Sequence, residues 1–450
     1  MSDKDKSSAP AARGSRFVKL ASMTASVATN YASTRLKSAF QSAESAARDR
    51  LTAHQINGER IAQTLGELKG AAMKIGQMAS IGSDVLPKEL SDALVKLQKQ
   101  APPVEFDVIA GQIERELGAH PKLLFAYFDP KPFASASIGQ VHRARTDDGR
   151  EVIVKVQYPG VDDSVDSDLA HLKLALRASG LVNAAHRKGL NKVFEEVRAR
   201  LHEELDYTNE AANVRRFRAH HRRHEFVVVP DVVGERSAQR VLTLTFEPSD
   251  SISQLDELGY DQELRNTLAY RLFDAVLSQI YELRAVQADP NPANFGFRKD
   301  GTVVLYDFGC VKDVRRDILQ LYREVTISAL SEDYDAVERC LIGLGARNLD
   351  GPPVSPAYYK TWRDIFLEPF LAPQPYDFGH TRMYERIMGE AKEFILRHAQ
   401  AFQPPVELVF VDRAIAGTFG NVRAMKAIGD PTPLLDKYIH TLPEGLQAGA

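Results

Sequence analysis

Cysteine is scarce in this sequence of 450 residues, which contains Cys310 and Cys340 alone. Two cysteines cannot build a disulfide framework, so we expect a protein of a reducing compartment. No run of 18 apolar residues occurs, which predicts that no helix spans a membrane. An excess of one charge is also missing, since 57 Lys and Arg stand against 60 Asp and Glu for a net charge of −3. This balance argues against a general nucleic-acid binder.

The rest of the composition is that of an ordinary soluble protein, with 44% apolar and 26% charged residues. Neither a wholly disordered chain nor a fibrous one has this composition. At about 100–200 residues per domain, the length predicts two or three structural units.

The N-terminal region is small, polar and basic. Residues 1–15 predict a disordered tail. From 7 to 43 every charged residue is positive, namely Arg13, Arg16, Lys19, Arg35 and Lys37. A basic helix on an anionic membrane surface and a solvated helix docked on the protein both fit this pattern. An organelle transit peptide is a third interpretation, against which Asp3 and Asp5 argue.

The segment 56–78 carries apolar residues at spacings of three and four, which predicts a helix. Lys74 and Gln77 lie three apart near its end and share a face. On these residues alone, the two are surface groups of an amphipathic helix.

A β-hairpin is predicted next, because Asp148-Gly149 separates two β-prone runs. Before it lies a loop of small residues, Ala134 to Ser137 with Gly139, that would let backbone N–H groups approach a phosphate. Lys155 closes V-I-V-K in the second run and resembles the strand lysine of protein kinases. An apolar strand should desolvate this lysine and require an anionic partner, whereas an edge strand would turn it to water.

A long helix is predicted over 190–218, with the acidic run Glu203, Glu204, Asp206 and Glu210. Glu204 and Glu210 lie six apart, so they should point in different directions and could serve two lysines. A solvated acidic face explains the run equally well. Strands are predicted within 226–230 and 240–248, and a further helix over 260–286.

The most specific pattern is A-D-P-N-P-A-N-F followed by V-V-L-Y-D-F-G. Asp289 and Asn294 are five apart, and Asp307 comes thirteen residues after Asn294. Protein kinases place a catalytic Asp, a magnesium-binding Asn and a second magnesium-binding Asp in this order. Magnesium takes oxygen ligands, which Asn and Asp supply. The second D-F-G, at Asp377, follows prolines in place of an apolar strand, so we interpret it as a chance match in a loop.

These motifs together resemble the UbiB family of atypical kinase-like proteins, which includes AarF and the ubiquinone-biosynthesis ATPases of bacteria and mitochondria. The resemblance runs from about Leu68 to Phe308, with a weaker continuation beyond. It is carried by K-I-G-Q at 74–77, A-S-A-S-I-G-Q-V-H at 134–142, E-L-D at 204–206, and D-P-N-P-A-N with D-F-G. The first three motifs have no counterpart in ordinary protein kinases.

The resemblance implies that Lys155 contacts the nucleotide phosphates and pairs with Glu210. It implies magnesium ligands at Asn294 and Asp307, and Asp289 in the catalytic position. The ATP-binding set that it implies also includes Ala134, Ser135, Ala136, Ser137, Gly139, Gln140 and Phe246.

A second implied set covers the cleft where protein kinases admit peptides: Lys74, Gln77, Glu204 and Asp206, with Lys74 paired to Glu204. In this family the alanine-rich loop replaces a glycine-rich one and is linked to ATPase behaviour. Ser135 departs from the usual alanine and could alter nucleotide preference. No histidine precedes Asp289, as in the mitochondrial-like branch, and the C-terminal membrane helices of many bacterial relatives are not expected.

The resulting fold is an α+β, two-lobed protein-kinase-like fold with a family-specific N-terminal helical extension. Its predicted parts are a tail and basic amphipathic segment at 1–50, the extension with K-I-G-Q at 51–110, the N-lobe at 111–247, and the helical C-lobe at 248–450.

The predicted function is to bind ATP with magnesium and hydrolyse it, in support of isoprenoid quinone biosynthesis or lipid handling at a membrane surface. The alternatives are a phosphotransferase for a protein or small molecule and a nucleotide-gated, non-catalytic lipid-binding protein. Besides ATP, the predicted partners are an isoprenoid lipid or quinone precursor, an anionic membrane surface and a second copy of the chain, without nucleic acid. The predicted location is the cytoplasm, with peripheral contact to the inner membrane.

Overall fold

The computed structural model describes residues 104–135, 138–161, 205–398, 400–403 and 408–441, with scattered positions between 166 and 202. The predicted N-terminal segments, including Lys74 and Gln77, lie outside these residues. The described chain forms two units, 104–211 with 232–246 and 212–231 with 247–441. None of its helices is both long and apolar enough to span a membrane.

Helices and short strands alternate along the described chain. The strands are β1 Tyr127–Phe128, β2 Ala134–Ser135, β3 Gly139–Arg145, β4 Glu151–Gln157, β5 Val227–Val228, β6 Val241–Thr245, β7 Ala285–Gln287, β8 Phe295–Phe297, β9 Val303–Leu305, β10 Val311–Asp313, β11 Tyr376–Asp377 and β12 Ile428–Gly429. The α-helices are α1 Phe106–Leu117, α2 Pro121–Leu124, α3 Tyr207–His221, α4 Gln262–Ser278, α5 Arg316–Leu330, α6 Tyr334–Gly343, α7 Pro356–Phe366, α8 Glu368–Leu371, α9 Met383–Arg397, α10 Val409–Ala424 and α11 Thr432–Leu435.

The first unit contains an antiparallel sheet in the order β1–β3–β4–β6, with β2 paired to β3. The predicted hairpin joins β3 to β4, and Gly149 takes φ of +85° in its turn, a conformation that glycine adopts at least cost. Ile109 and Ile113 of α1 are fully buried in one cluster with Val152 and Val154 of β4. The apolar alternation of β4 therefore packs one of its faces against a helix.

A chain of buried polar contacts crosses the start of β3. The Val104 N–H donates to Gln140 Oε1 at 2.5 Å, and Gln140 Nε2 lies 3.4 Å from His142 Nε2. His142 Nδ1 lies 2.9 Å from the Asp129 carbonyl oxygen. A neutral imidazole with its proton on Nδ1 satisfies every contact, because Nδ1–H then donates to the carbonyl and Nε2 accepts from the amide.

The second unit has helix α4 at its core, with Leu268, Leu272 and Ala275 fully buried. Asp261 caps the helix by accepting from the Leu264 N–H at 2.8 Å. The helix was expected to continue to 286. It ends instead in a π-helical turn over 279–283, and Arg284 adopts a left-handed φ of +55° before β7 begins.

A further expectation about helices is corrected. The predicted helix over 190–218 is interrupted, because Leu205 and Asp206 are not helical and α3 begins at Tyr207. Residues 212–231 group with the second unit. Strand pairing explains this grouping, since β5 joins β9 in parallel within the sheet β5–β9–β8.

Burial lowers the pKa of His142 below its ordinary value of 6.5. Below pH 6.5 the unfolded chain therefore binds a proton on this histidine more readily than the folded protein does. The free energy of unfolding should fall as the pH drops. One such group contributes at most about 1.4 kcal/mol per pH unit. We expect His142→Gln to reduce the loss of stability between pH 7 and 5, measured by urea unfolding. His380→Gln, at an exposed position, is the control. Equal pH slopes for wild type and His142→Gln would contradict this assignment.

Candidate active site

Lys155 lies on the central strand β4 and forms a buried ion pair. Its Nζ lies 2.6 Å from Glu210 Oε1, and the two side chains are 11% and 5% exposed. Strand β4 is hydrogen-bonded on both sides, to β3 and β6, so the edge-strand interpretation is wrong. The structure forms the lysine–glutamate pair that the family resemblance implies.

Asp206 positions the helix that carries Glu210. Its Oδ1 accepts from the Thr208 N–H at 2.9 Å and from the Thr208 hydroxyl at 2.6 Å. This is the bonding of an N-cap residue, so the Asp of E-L-D starts α3. Glu210 then falls in the first turn of α3. Glu203 and Glu204 lie outside the described residues.

The alanine-rich motif is only partly a loop. Ala134 and Ser135 form β2, opposite Val141 and Gln140 of β3, and Ala136 and Ser137 are not described. Ala134, Ser135 and Gly139 lie in paired strands, although their small size predicted a loop. The expected loop of five small residues is therefore shorter.

Gly139 permits a close approach of two strands in the first unit, and the neighbouring Gln140 is buried. A Cβ at Gly139 would lie 2.2 Å from the Val156 carbonyl oxygen, so only glycine permits this approach of β3 to β4. Gln140 is fully buried in the polar chain that includes His142. In this conformation its side chain faces the interior, and its contact with ATP stays a prediction.

Phe246 follows β6 and is half-buried. Its N–H donates to the Glu151 carbonyl oxygen at 2.9 Å, which continues the sheet. The Arg143 guanidinium lies 4.0 Å from the centroid of the Phe246 ring, and the Phe133 ring meets it edge-on at 6.2 Å. The sequence analysis missed Arg143 and Phe133 as neighbours of this candidate.

The loop that carries Asp289 and the D-F-G loop at Asp307 are brought together by two short antiparallel ladders in the second unit. In the first ladder, β7 pairs with β10 and Gln287 lies opposite Val311. Asp289 comes two residues after Gln287, and Gly309 comes two residues before Val311. The register therefore brings the two loops to the same end of this ladder.

The second ladder pairs β8 with β9 and places Phe295 opposite Leu305. Asn294 immediately precedes Phe295, and the Tyr306 N–H donates to the Asn294 carbonyl oxygen at 3.1 Å. Asp307 is the next residue. A thirteen-residue separation along the chain is thus closed by one hairpin.

The side chains of the three candidates are held by local hydrogen bonds. Asn294 Nδ2 donates to the Asp289 carbonyl oxygen at 2.9 Å and lies 3.4 Å from Asp289 Oδ2. Because the amide nitrogen is used in this way, the Asn294 oxygen is the atom left for a cation. Asp307 Oδ1 accepts from the Gly309 N–H at 3.0 Å. An amide oxygen and a carboxylate on adjacent loops match the oxygen ligands of magnesium.

One face of α10 supports the catalytic loop, a contribution that the sequence analysis missed. Arg413 Nη2 lies 3.6 Å from Asp289 Oδ1, and Asn421 Nδ2 donates to the Pro290 carbonyl oxygen at 3.1 Å. Gly417 lies between them, and a Cβ there would approach the Pro290 Cγ to 2.1 Å. Their spacing of four along a helix is the signal that could have revealed this shared face.

Helix α3 supports the D-F-G loop in the second unit. Asn213 Nδ2 donates to the Phe308 carbonyl oxygen at 3.0 Å, and the Phe217 ring packs on the Phe308 ring with centroids 4.8 Å apart. Gln287 Nε2 also donates to the Asp307 carbonyl oxygen. These contacts hold the backbone carbonyl groups of Asp307 and Phe308.

The second D-F-G differs in its surroundings. Asp377 ends the two-residue strand β11, which pairs with β12, so it lies at a strand end and not in the expected loop. Its carboxylate binds His380, with Oδ2 2.8 Å from Nδ1. Phe378 is buried. Packing and a local turn account for all three residues.

Comparison with known proteins gives consistent matches. A family described as the ABC1 atypical kinase-like domain matches residues 96–341. The chain is 33% identical over 359 residues to Protein ACTIVITY OF BC1 COMPLEX KINASE 7, chloroplastic, of Arabidopsis thaliana, covering 80% of this chain and 50% of that protein. It is 31% identical over 420 residues to Atypical kinase COQ8, mitochondrial, of Saccharomyces cerevisiae, covering 92% and 82%. The chain thus spans half the length of the Arabidopsis protein.

A solved structure is also similar. It is Rv3197 of Mycobacterium tuberculosis, in a complex with erythromycin, with a TM-score of 0.63 and 27% sequence identity. The match covers 89% of this chain and 100% of that one. It confirms the predicted kinase-like α+β fold.

The buried pair predicts non-additive effects on stability. Lys155→Met should cost about 3–5 kcal/mol, because it leaves the Glu210 carboxylate buried without its cation. Glu210→Met should cost a similar amount. The double variant should be more stable than either single one, since no buried charge remains. Urea unfolding of all four proteins measures the coupling. Additive losses would show that the pair contributes no coupling.

The contact of α10 with Pro290 predicts opposite outcomes for two glycines of one helix. Gly417→Ala should destabilise the protein by about 1–3 kcal/mol, because the new methyl group overlaps the proline ring. Gly420→Ala is the matched control, since its Cβ meets only the Tyr384 hydroxyl at 3.4 Å. That variant should gain up to about 1 kcal/mol of helix propensity. Equal melting temperatures for the two variants would contradict the close contact.

Proposed function

This chain belongs to the ABC1 family of atypical kinase-like proteins, the UbiB group that its motifs resemble, and on that premise we propose that it binds ATP with magnesium and hydrolyses it. The observation that carries the proposal is the buried Lys155–Glu210 pair at 2.6 Å. In protein kinases the equivalent ion pair must form before phosphoryl transfer occurs. Burying two charges costs desolvation free energy. The stability of the fold by itself does not require such a pair.

The proposed roles follow from the chemistry of each group. Lys155 contacts the phosphates and offsets their negative charge. Asn294 and Asp307 hold magnesium, which supplies electrostatic stabilisation of phosphate oxygens when it is bound. Asp289 orients the attacking water and accepts its proton.

The surroundings of Asp289 support this role. Its side chain is 27% exposed, so water can reach the carboxylate. Arg413 and the Asn294 amide constrain the carboxylate from two sides. A fixed orientation is what a group that positions a nucleophile needs.

The rest of the nucleotide site is proposed from the resemblance. The small residues Ala134 to Ser137, with Gly139, would lie against the phosphates, and Phe246 would contact the nucleotide. We further propose that the K-I-G-Q motif and Glu204 cover the cleft. Such a cover disfavours a protein substrate and favours water as the acceptor.

The cellular role that we propose is support of isoprenoid quinone biosynthesis or lipid handling at a membrane surface. The similarity to the yeast protein named COQ8 and the basic residues between 7 and 43 support it. Association with a second copy of the chain and location in the cytoplasm, peripheral to the inner membrane, remain predictions from the sequence.

The first test is magnesium-dependent ATP hydrolysis by the purified chain, with and without anionic liposomes. We expect turnover that rises with liposomes and is lost in Asp307→Asn, because the amide removes a charged magnesium ligand. Asp377→Asn is the matched control, since it makes the same change in the second D-F-G and should retain full activity. Asp289→Asn should reduce turnover by about 10²–10⁴-fold.

Two outcomes would replace this proposal. Transfer of radiolabelled phosphate from ATP to a discrete protein or small molecule would identify a phosphotransferase. Nucleotide binding without turnover, with or without liposomes, would favour the nucleotide-gated lipid-binding protein.

A further inference from the structure

Three histidines meet at the C-terminal end of α3, within the second unit. His220 and His221 occupy its last turn, and His224 follows in the next turn of the chain. One ligand nitrogen from each ring lies within 4.8 Å of the others. His221 is 2% exposed, whereas His220 and His224 are partly exposed and open the cluster to solvent. No step of the proposed ATP hydrolysis uses these residues.

The hydrogen bonds of His220 determine which of its nitrogens carries the proton. His220 Nε2 lies 3.2 Å from Ser278 Oγ, and the Ser278 hydroxyl donates to the Ala275 carbonyl oxygen at 2.8 Å. The serine proton is therefore already used, so His220 Nε2–H donates to Oγ. In a neutral ring this leaves the lone pair on Nδ1.

Gln279 plays the corresponding part for His221. Its Nε2 lies 3.1 Å from His221 Nε2, while its Oε1 is buried and has no hydrogen-bond partner among the described residues. Turning the amide by 180° puts Oε1 beside His221 Nε2–H, so that Oε1 accepts a hydrogen bond from the ring. The lone pair of His221 then lies on Nδ1, 3.1 Å from His224 Nδ1.

This arrangement matches the way in which proteins prepare histidines for a metal. Metal-binding imidazoles donate their second N–H to a neighbouring acceptor, which fixes the tautomer. Ser278 and Gln279 are such acceptors. Two nitrogens bound to one zinc ion at about 2.0–2.1 Å in tetrahedral geometry lie about 3.3 Å apart, close to the separation of the His221 and His224 Nδ1 atoms.

The charges around the cluster are compatible with a cation. Arg223 is paired with Glu282 and Lys437 with Asp274, so the neighbouring charges balance. The carbonyl end of α3 adds a partial negative charge.

We propose that His220, His221 and His224 bind one divalent transition-metal ion of the zinc class, with Ser278 and Gln279 orienting the rings. Neutral imidazoles suit Zn²⁺ and not Mg²⁺, which prefers oxygen ligands. Three protein ligands leave one tetrahedral position for water. The ion would join the last turn of α3 to the turn that follows it and carries His224.

The test is calorimetric titration of the full-length chain with ZnCl₂ in excess magnesium, which occupies oxygen-ligand sites. We expect one zinc ion per chain. Loss of a residue that orients a metal ligand weakens metal binding by about 10–100-fold. His224→Gln and His220→Gln each remove a ligand and should weaken zinc binding by more than that. Gln279→Met should weaken it by about 10–100-fold. Co²⁺ should show the visible absorption bands of a tetrahedral nitrogen site in the wild type and in His380→Gln, and not in His220→Gln or His224→Gln.

His380→Gln is the matched control, because that side chain is 89% exposed and outside the cluster. It should bind zinc as the wild type does. Circular dichroism checks that each variant folds, and the partly exposed His220 and His224 are chosen for this reason. Absence of zinc binding by the wild type would overturn the proposal. Equal affinity for the wild type and the His220→Gln/His224→Gln double variant would also overturn it.

Discussion

The ion pair between Lys155 and Glu210 is the constraint on which the helix Tyr207–His221 depends. A lysine on a central strand is tolerated because a carboxylate meets it at 2.6 Å. Asp206 caps the same helix one residue before it begins. Both contacts lie at the first turn of the helix.

Further along, the same helix carries groups with other tasks. Asn213 and Phe217 hold the D-F-G backbone through Phe308, and the last turn presents His220 and His221. The spacing of four between Asn213 and Phe217 places both on one face. A mostly polar helix is stable here because each of these polar groups has a defined partner.

The catalytic candidates are positioned by backbone pairing more than by their own side chains. Two ladders of three residue pairs each bring the loops of Asp289, Asn294 and Asp307 together. Helix α10 packs against the loop that carries Asp289. Its Arg413 lies near Asp289, and its Gly417 lies against Pro290. Rigid elements of this kind hold a reactive group in one geometry, which phosphoryl transfer requires.

The sequence by itself determined the family and the kinase-like α+β fold, and it supplied the candidates for the site, because magnesium and phosphate chemistry admit few side chains at few spacings. The sequence could not determine which residues contact one another in the folded protein. Tertiary structure decided that Gln140 faces the interior, that Asp206 begins a helix, and that Arg413 lies near Asp289 from more than a hundred residues away. Local pattern specifies periodicity, whereas burial and pairing depend on contacts between segments that no local window contains.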